Sequence, residues 1–482
     1  MKKLIKEILD FLKSNGASYS DVRIVDRTKE YISTENLKVN NLENSRSKGI
    51  GIRVIYDGSL GFASSQNIED IKKVAEKALR IAKASRTIQK EKINLSPKEV
   101  VVDHYSTPIK IDPFTVSKKE KIDLLFKAEE AMRSSGNLFK TNGSMQFQKE
   151  EKIFADTEGS YITQTLYESG AGIEAIAANE HDRQVRSYPS SFGGNHGTAG
   201  YEYITSLNLV ENGNLIGKEA LMLLDAEECP SGVYDLIIDS SQMVLQIHES
   251  VGHPLELDRI FGSEAAFAGM SFVTTDKKET SFKYGSEHVT IVADGTLEQG
   301  LGAFGYDDDG VKAQKTVLID KGILKNFLTS RDTAYKIGEN SNGTNRADGW
   351  HNIPIVRMTN ISLMPGEYEF DELLSGIDYG FYLSTNSSWS IDDKRINFQF
   401  GTEIAYEIKN GKLTGKIFKN PIYTGITPEF WGSCDGVCNE KYWKLYGVPN
   451  CGKGQPGQVA HVGHGSSPAR FRNVKVGVKD VK

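Results

Sequence analysis

The chain has 482 residues, of which 38% are hydrophobic and 25% charged, with only 13 prolines. This composition excludes disordered and collagen-like classes and sets two domains as the starting expectation. The 58 basic and 64 acidic residues leave a formal net charge of -6, too small and too mixed for a general grip on nucleic acid or an anionic membrane, so neither is an expected partner.

The amino terminus mixes charged and apolar residues at helical spacing and lacks the unbroken apolar core of a secretory signal, and no apolar run approaches roughly 20 residues. A cytoplasmic protein without a membrane span is expected. Leu4 to Phe11 predicts an amphipathic helix, and alternating segments from Ser18 onward predict strands. Asp57-Gly58 between two apolar-rich segments predicts a β-hairpin. A helix then places Ile68, Ile71, Ala75, Ala78, Leu79 and Ile81 on one side, and Lys90 to Lys98 reads as a charged surface connection. Ser117 and Glu120 form a candidate capping box for a second helix, which Gly136 ends. From Gly143 to Ser190 the pattern is strand-rich, and a helix through Leu215 to Asp225 precedes the strand YDLIID. The domain boundary is expected near 220 to 232, giving domains 1–225 and 226–482. The second half is mostly β, with turns at Asp320-Lys321-Gly322 and Asn410-Gly411.

The sharpest motif is QIHESVGHPLELD, with His248 and His253 five residues apart and Glu249 beside the first. It differs from the zinc-protease pattern HExxH by one residue. Residues five apart on an ideal helix differ by about 140° in direction, against about 40° for four, so one metal is shared only if the helix ends, tightens or bulges between them. Gly252 relaxes the backbone there, and Pro254 disfavours helical dihedrals at His253. Two unrelated histidines on an ordinary helix are the competing reading. A third ligand is required, and Cys451 in VPNCGKGQPGQVAHVGHGSS is the candidate, although a lone cysteine is as well read as a small buried residue. The four cysteines are too few for a disulfide framework. Cys434 and Cys438 are expected to stay reduced, and Cys229 is read as structural. Asp307, Asp308 and Asp309 lack the ligand spacing of a calcium loop and are expected on a solvated or site-rim turn.

The ordered set of HESVGH at His248 to His253, DDDGVKAQKTVLIDKGIL at Asp307 to Leu324, RMTNISLMPG at Arg357 to Gly366 and CGKGQPGQVAHVGHG at Cys451 to Gly465 resembles the TldD/PmbA family of metalloproteases, especially its catalytic TldD-like members. The resemblance implies an α+β fold, an N-terminal α/β domain followed by a C-terminal β-rich domain carrying the metal site. It implies Zn2+ held by His248, His253 and Cys451, with Glu249 as the catalytic residue that activates metal-bound water. The implied substrate is a small peptide or an unfolded protein segment, and the implied assembly is a homodimer or a heterodimer with a PmbA-like paralogue. Tyr306, His461 and His464 are candidates for substrate or oxyanion contacts. A noncatalytic metal-stabilised subunit and an amidohydrolase acting on small amides are the alternatives.

Overall fold

The long alternating segments of the first half form one sheet, described, like the rest of the chain, in a computed structural model that covers residues 1–454 and 457–477. Its strands are β1 (Tyr19–Glu35), β2 (Lys38–Tyr56), β3 (Ser59–Ser65), β4 (Val102–Ser106), β5 (Lys140–Asp156), β6 (Tyr161–Ala178), β7 (Arg183–Tyr188) and β8 (Asn195–Gly197). The hydrogen-bonded order is β3-β2-β1-β5-β6, with β4, β7 and β8 all paired to β6. Asp57 and Gly58, at φ 45° and 79°, supply the two positive φ angles of a type I′ turn and join β2 to β3.

The longer helices over this sheet are α1 (Lys2–Ser14), α2 (Ile71–Ser85), α3 (Lys118–Arg133) and α4 (Leu209–Asp225). The buried side of α2 is Ile71, Val74, Ala75, Ala78, Leu79 and Ala82, the spacing of one helical face. Ile68 and Ile81, expected on that face, are only half-buried. The Ser117 hydroxyl caps α3 by accepting the Glu120 N–H at 3.2 Å.

The second half is β-rich, with β9 (Gly232–Ile238), β10 (Tyr379–Ile391), β11 (Asn397–Lys409), β12 (Ile422–Ile426), β13 (Lys444–Lys453), β14 (Gln458–Ser466) and β15 (Ala469–Val476). Five of these strands close a barrel. β9 pairs with β10 in parallel and with β15 antiparallel, and antiparallel pairs β15–β12, β12–β11 and β11–β10 complete the ring. Closure removes sheet edges except where a long strand outruns its neighbour. Phe381, Phe398, Phe400, Tyr423, Phe430, Trp431 and Phe471 fill the core, and Phe430 stacks on Phe471 with ring centroids 4.1 Å apart. Behind β9 comes α5 (Ser240–Ile247), every residue of which is buried. Its N-terminus is capped by Asp239, whose carboxylate accepts the Ser241 N–H at 2.9 Å. The β13–β14 hairpin sets Tyr446 opposite His464 and Cys451 opposite Ala460.

The turn of Asp307, Asp308 and Asp309 is not solvated, although Asp307 and Asp308 line a cavity that Tyr306 and His461 also border. Their exposures are 2%, 1% and 0%, because Asp307 braces the turn itself while Asp308 and Asp309 hold the second half to the first sheet. Asp307 accepts the backbone N–H groups of Asp309, Val311 and Asn345. Asp308 accepts from Lys152 of β5 at 3.1 Å. Asp309 accepts from Arg53 of β2 at 2.6 Å, and the same guanidinium reaches Asp21 at 2.6 Å. The Lys90 to Lys98 segment also differs from a plain surface connection, since Lys98 is buried against Asp156 at 2.8 Å. Deleting Arg53 strands two buried carboxylates, so Arg53→Met is expected to cost about 3–5 kcal/mol of stability. Denaturant unfolding checks this, and an unchanged midpoint contradicts it.

No helix of the described residues is long and apolar enough to cross a membrane.

Candidate metal centre

Helix α5 does not stop at His248 but widens into a π turn over His248–Gly252, in which the His253 N–H bonds to the His248 carbonyl five residues back. The wider turn carries His248 and His253 onto the same side, as an α-helix would for residues four apart. The redirection does not come from Pro254. His253 keeps helical dihedrals, φ -60° and ψ -41°, and Pro254 sits in the following 3-10 turn, His253–Leu255. Nor does Gly252 act through conformational freedom, because its φ is -57°. A Cβ there would lie 2.1 Å from the Met358 sulfur, so glycine is required for close packing.

Pro254 has another consequence. Lacking an N–H, it cannot satisfy the Ser250 carbonyl four residues before it. The buried Tyr284 hydroxyl donates to that carbonyl instead, at 2.5 Å. The Ser250 hydroxyl accepts from Trp431 at 2.9 Å, which ties the π turn to the barrel core.

The His248, His253 and Cys451 ligand atoms all lie within 4.8 Å of one another, and all three residues are buried. The Cys451 sulfur is 3.7 Å from His253 Nε2. Two ligands sharing a tetrahedral ion, with metal bonds of about 2.3 Å to sulfur and about 2.0–2.1 Å to nitrogen, would be about 3.6 Å apart. The donor set therefore fits a divalent metal with a fourth position left over.

Each ligand is oriented from behind. His248 Nδ1 is 2.8 Å from His464 Nε2, and His464 Nδ1 is 3.0 Å from the Ile361 carbonyl oxygen. Only a donor satisfies that carbonyl, so His464 carries its proton on Nδ1 and accepts from His248 at Nε2. His248 Nδ1 is thereby protonated, and its Nε2 is free to ligate. His253 Nδ1 faces Glu256 at 2.8 Å, and Glu256 lies 3.2 Å from the buried Lys453. Burial holds all three imidazoles below the usual histidine pKa, hence neutral.

The cysteines separate sharply. Burial pushes the Cys229, Cys434 and Cys438 thiols up to about 12. Burial also acts against the Cys451 thiolate, but Arg357 and His253 outweigh it and bring its pKa below the ordinary value. The Arg357 guanidinium donates to the Cys451 carbonyl and, at 3.0 Å, to the Gln458 carbonyl. Among the described residues all four cysteines are free.

Glu249, on the same π turn, pairs with Arg395, which stands at φ 63° in the turn between β10 and β11. The other expected contacts lie elsewhere. His464 spends both ring nitrogens inside the protein, so it supports His248 and does not face substrate. His461 faces away from His464, as residues three apart on a strand do, and meets Glu168 of β6 at 2.5 Å. The Tyr306 hydroxyl donates to Asp103 at 2.5 Å. Tyr306 and His461 border a cavity of about 60 Å³ between the hairpin and the first sheet.

Glu256, Lys453, Arg357, Tyr284 and Arg395 were not singled out from sequence. Glu256 was within reach, being three residues after His253, and Lys453 lies two beyond Cys451 on the same strand. Arg357 opens the RMTNISLMPG segment, which the sequence did mark, but without a sign that it reaches Cys451; Tyr284 and Arg395 approach from distant segments that carry no local mark. We expect His464→Leu to weaken metal binding about 10- to 100-fold, and His464→Gln, which keeps an acceptor for His248, to recover much of it. Chelator competition measures both, and equal affinities for wild type and His464→Leu would remove His464 from this role.

Three stretches match successive parts of one family. Residues 20–82 match PmbA/TldA metallopeptidase domain 1, residues 111–225 its central domain and residues 231–478 its C-terminal domain. Metalloprotease MJ0996 of Methanocaldococcus jannaschii is 31% identical, over 94% of this chain and 95% of its own. The zinc metalloprotease TldD homolog of Saccharolobus solfataricus is 24% identical, over 96% and 97%. A Thermotoga maritima crystal structure, described as a DNA gyrase modulator, aligns with a TM-score of 0.76 at 18% identity, covering 99% of this chain and 100% of that one. At that identity the likeness shows the fold alone.

Proposed function

The chain belongs to the TldD/PmbA metallopeptidase family, and from that premise we propose that it is a zinc-dependent peptidase that hydrolyses small peptides or unfolded segments, using His248, His253 and Cys451 as ligands and Glu249 as the proton-transfer group. The observation that carries this reading is the π turn that brings both histidines to Cys451 while leaving Glu249 beside them. A two-histidine, one-thiolate set suits zinc, and a relative that aligns over 97% of its own length bears that metal in its name.

Zinc bound there supplies a Lewis acid that polarises the scissile carbonyl and makes water a better nucleophile. The protein's own groups do the rest. The Glu249 carboxylate takes a proton from the attacking water and returns one to the departing amine. Arg395 holds that carboxylate in place until then. The closed, oriented shell of His464, Glu256 and Arg357 keeps the ligand atoms aimed before metal arrives. Tyr306 and His461 belong to the proposal as substrate contacts only through the interdomain cavity that they border.

The substrate path is the unpaired part of β10. Its pairing with β9 ends at Leu383, whereas its pairing with β11 continues to Ile391. Ser387 to Ser390 are exposed, so the backbone there is open to an added peptide strand. This favours extended segments over folded proteins. The division at 225/226 and a cytoplasmic location remain part of the proposal, supported by α4 ending at Asp225 on the first sheet and by the free thiols. A homodimer or a pair with a PmbA-like paralogue is likewise proposed; β2 offers an edge for it, since Lys38 to Lys48 are exposed and β3 pairs only from Ile50 onward.

The test is metal removal. Chelator-stripped protein is expected to lose cleavage of an unstructured peptide library and to regain it with one equivalent of zinc. Stoichiometric zinc without cleavage would favour a noncatalytic subunit. Cleavage of small amides alone would favour an amidohydrolase.

A further inference from the structure

A second cleft, of about 580 Å³, opens between the first sheet and the barrel, a volume in the range of ligand pockets. Its floor is Tyr31 of β1 with Gln146 of β5, and its walls include Phe192, His196 and Trp389. Phe192 and Trp389 meet with ring centroids 6.0 Å apart. Trp389 is 52% exposed, unusual for an indole with no fixed partner on its open side.

The cleft is linked to the metal centre along two of its walls. Asn450, on its rim, immediately precedes Cys451. Trp389 lies on the unpaired stretch of β10, whose following turn carries Arg395 to Glu249. An extended segment added along that strand would run past the rings toward the turn that carries Arg395.

The chemistry of the lining selects which side chain. No lysine or arginine is among the described residues of the cleft, so an acidic side chain finds no counter-charge. Of its two carboxylates, Glu403 is spent on Arg186 and Ser187, and Glu174 accepts from Asn142 at 2.8 Å. Burial holds the His196 pKa down to about 4, so the imidazole is neutral. What remains is three aromatic faces, uncharged polar edges and the Glu174 carboxylate, whose charge the Asn142 amide does not neutralise and which further disfavours an acidic side chain.

We propose that this cleft is the subsite for a bulky apolar side chain, aromatic foremost, of the peptide being cut, with Trp389 as the selectivity determinant. The inference rests on the peptidase reading above. It is tested with the zinc-loaded Glu249→Gln protein, which binds without cutting, and fluorescein-labelled peptides that differ at one position, Phe, Ala or Glu. The Phe peptide is expected to bind about tenfold tighter than the Ala peptide, the discrimination a filled apolar pocket provides, and the Glu peptide weaker still. Trp389→Ala should bring the Phe-to-Ala ratio close to one, and Trp389→Phe should restore most of it. Equal affinities for the Phe and Ala peptides, or a ratio that survives Trp389→Ala, would overturn the assignment. Aromatic preference in binding with no cleavage of any peptide by wild type would leave the cleft standing and sink the peptidase reading. Cleavage indifferent to the varied residue would do the reverse.

Discussion

Glu249→Gln is expected to keep its full complement of metal and to lose peptide hydrolysis by about 10²- to 10⁴-fold in kcat, the range attributed to a positioned general acid and base. The separation of the two effects follows from the geometry. The ligand atoms come from His248, His253 and Cys451, and Glu249 instead faces Arg395. Glutamine matches glutamate in shape and keeps an oxygen for that guanidinium, but it cannot carry a proton between water and amine. KM should therefore change little. Metal content is read by elemental analysis and turnover by single-peptide kinetics. Unchanged turnover would leave Glu249 with no part in the reaction, and loss of metal along with turnover would make it a structural prop of the site.

Removing a ligand should separate in the opposite way. Cys451→Ala is expected to weaken metal binding by at least about 100-fold, because two imidazoles alone fall short of the three protein ligands that a catalytic zinc site uses. His248→Ala should lose both metal and activity. Cys434→Ala and Cys438→Ala make the informative controls. These thiols are buried like Cys451, but burial pushes them up to about 12, so they remain protonated and offer no thiolate. Their substitution should lower stability without touching metal affinity. Circular dichroism verifies that Cys451→Ala still folds, since its side chain also belongs to the barrel-side core. Wild-type metal affinity in Cys451→Ala would remove the thiolate from the ligand set.

Features governed by neighbours in sequence were legible. The turns at Asp57-Gly58, Lys321-Gly322 and Asn410-Gly411 all have positive φ at both positions, because few other residue pairs adopt a type I′ turn. The demand that the chain change its winding between His248 and His253 was legible from spacing alone. Which way it does so was not: an end, a tightening and a bulge all met the demand, and Gly252 and Pro254 pointed to themselves as the cause, whereas the observed device is an extra residue within a turn, stabilised by Tyr284 from another segment. Long-range pairing hid the rest. Asp309 looks like part of an acidic surface run until Arg53, 256 residues away, is seen to hold it. Barrel closure likewise joins β9 to β15, near opposite ends of the second half. Arg395 is an ordinary basic residue in a polar turn, and only the fold places it on Glu249.

The most direct measurement of the central claim is X-ray absorption at the zinc edge on protein reconstituted with one equivalent of metal. The geometry predicts one sulfur at about 2.3 Å and two imidazole nitrogens at about 2.0–2.1 Å, with a further light atom completing four-coordination. A shell of nitrogen and oxygen without sulfur, or one dominated by several sulfurs, would contradict the assignment of His248, His253 and Cys451 as a single metal centre.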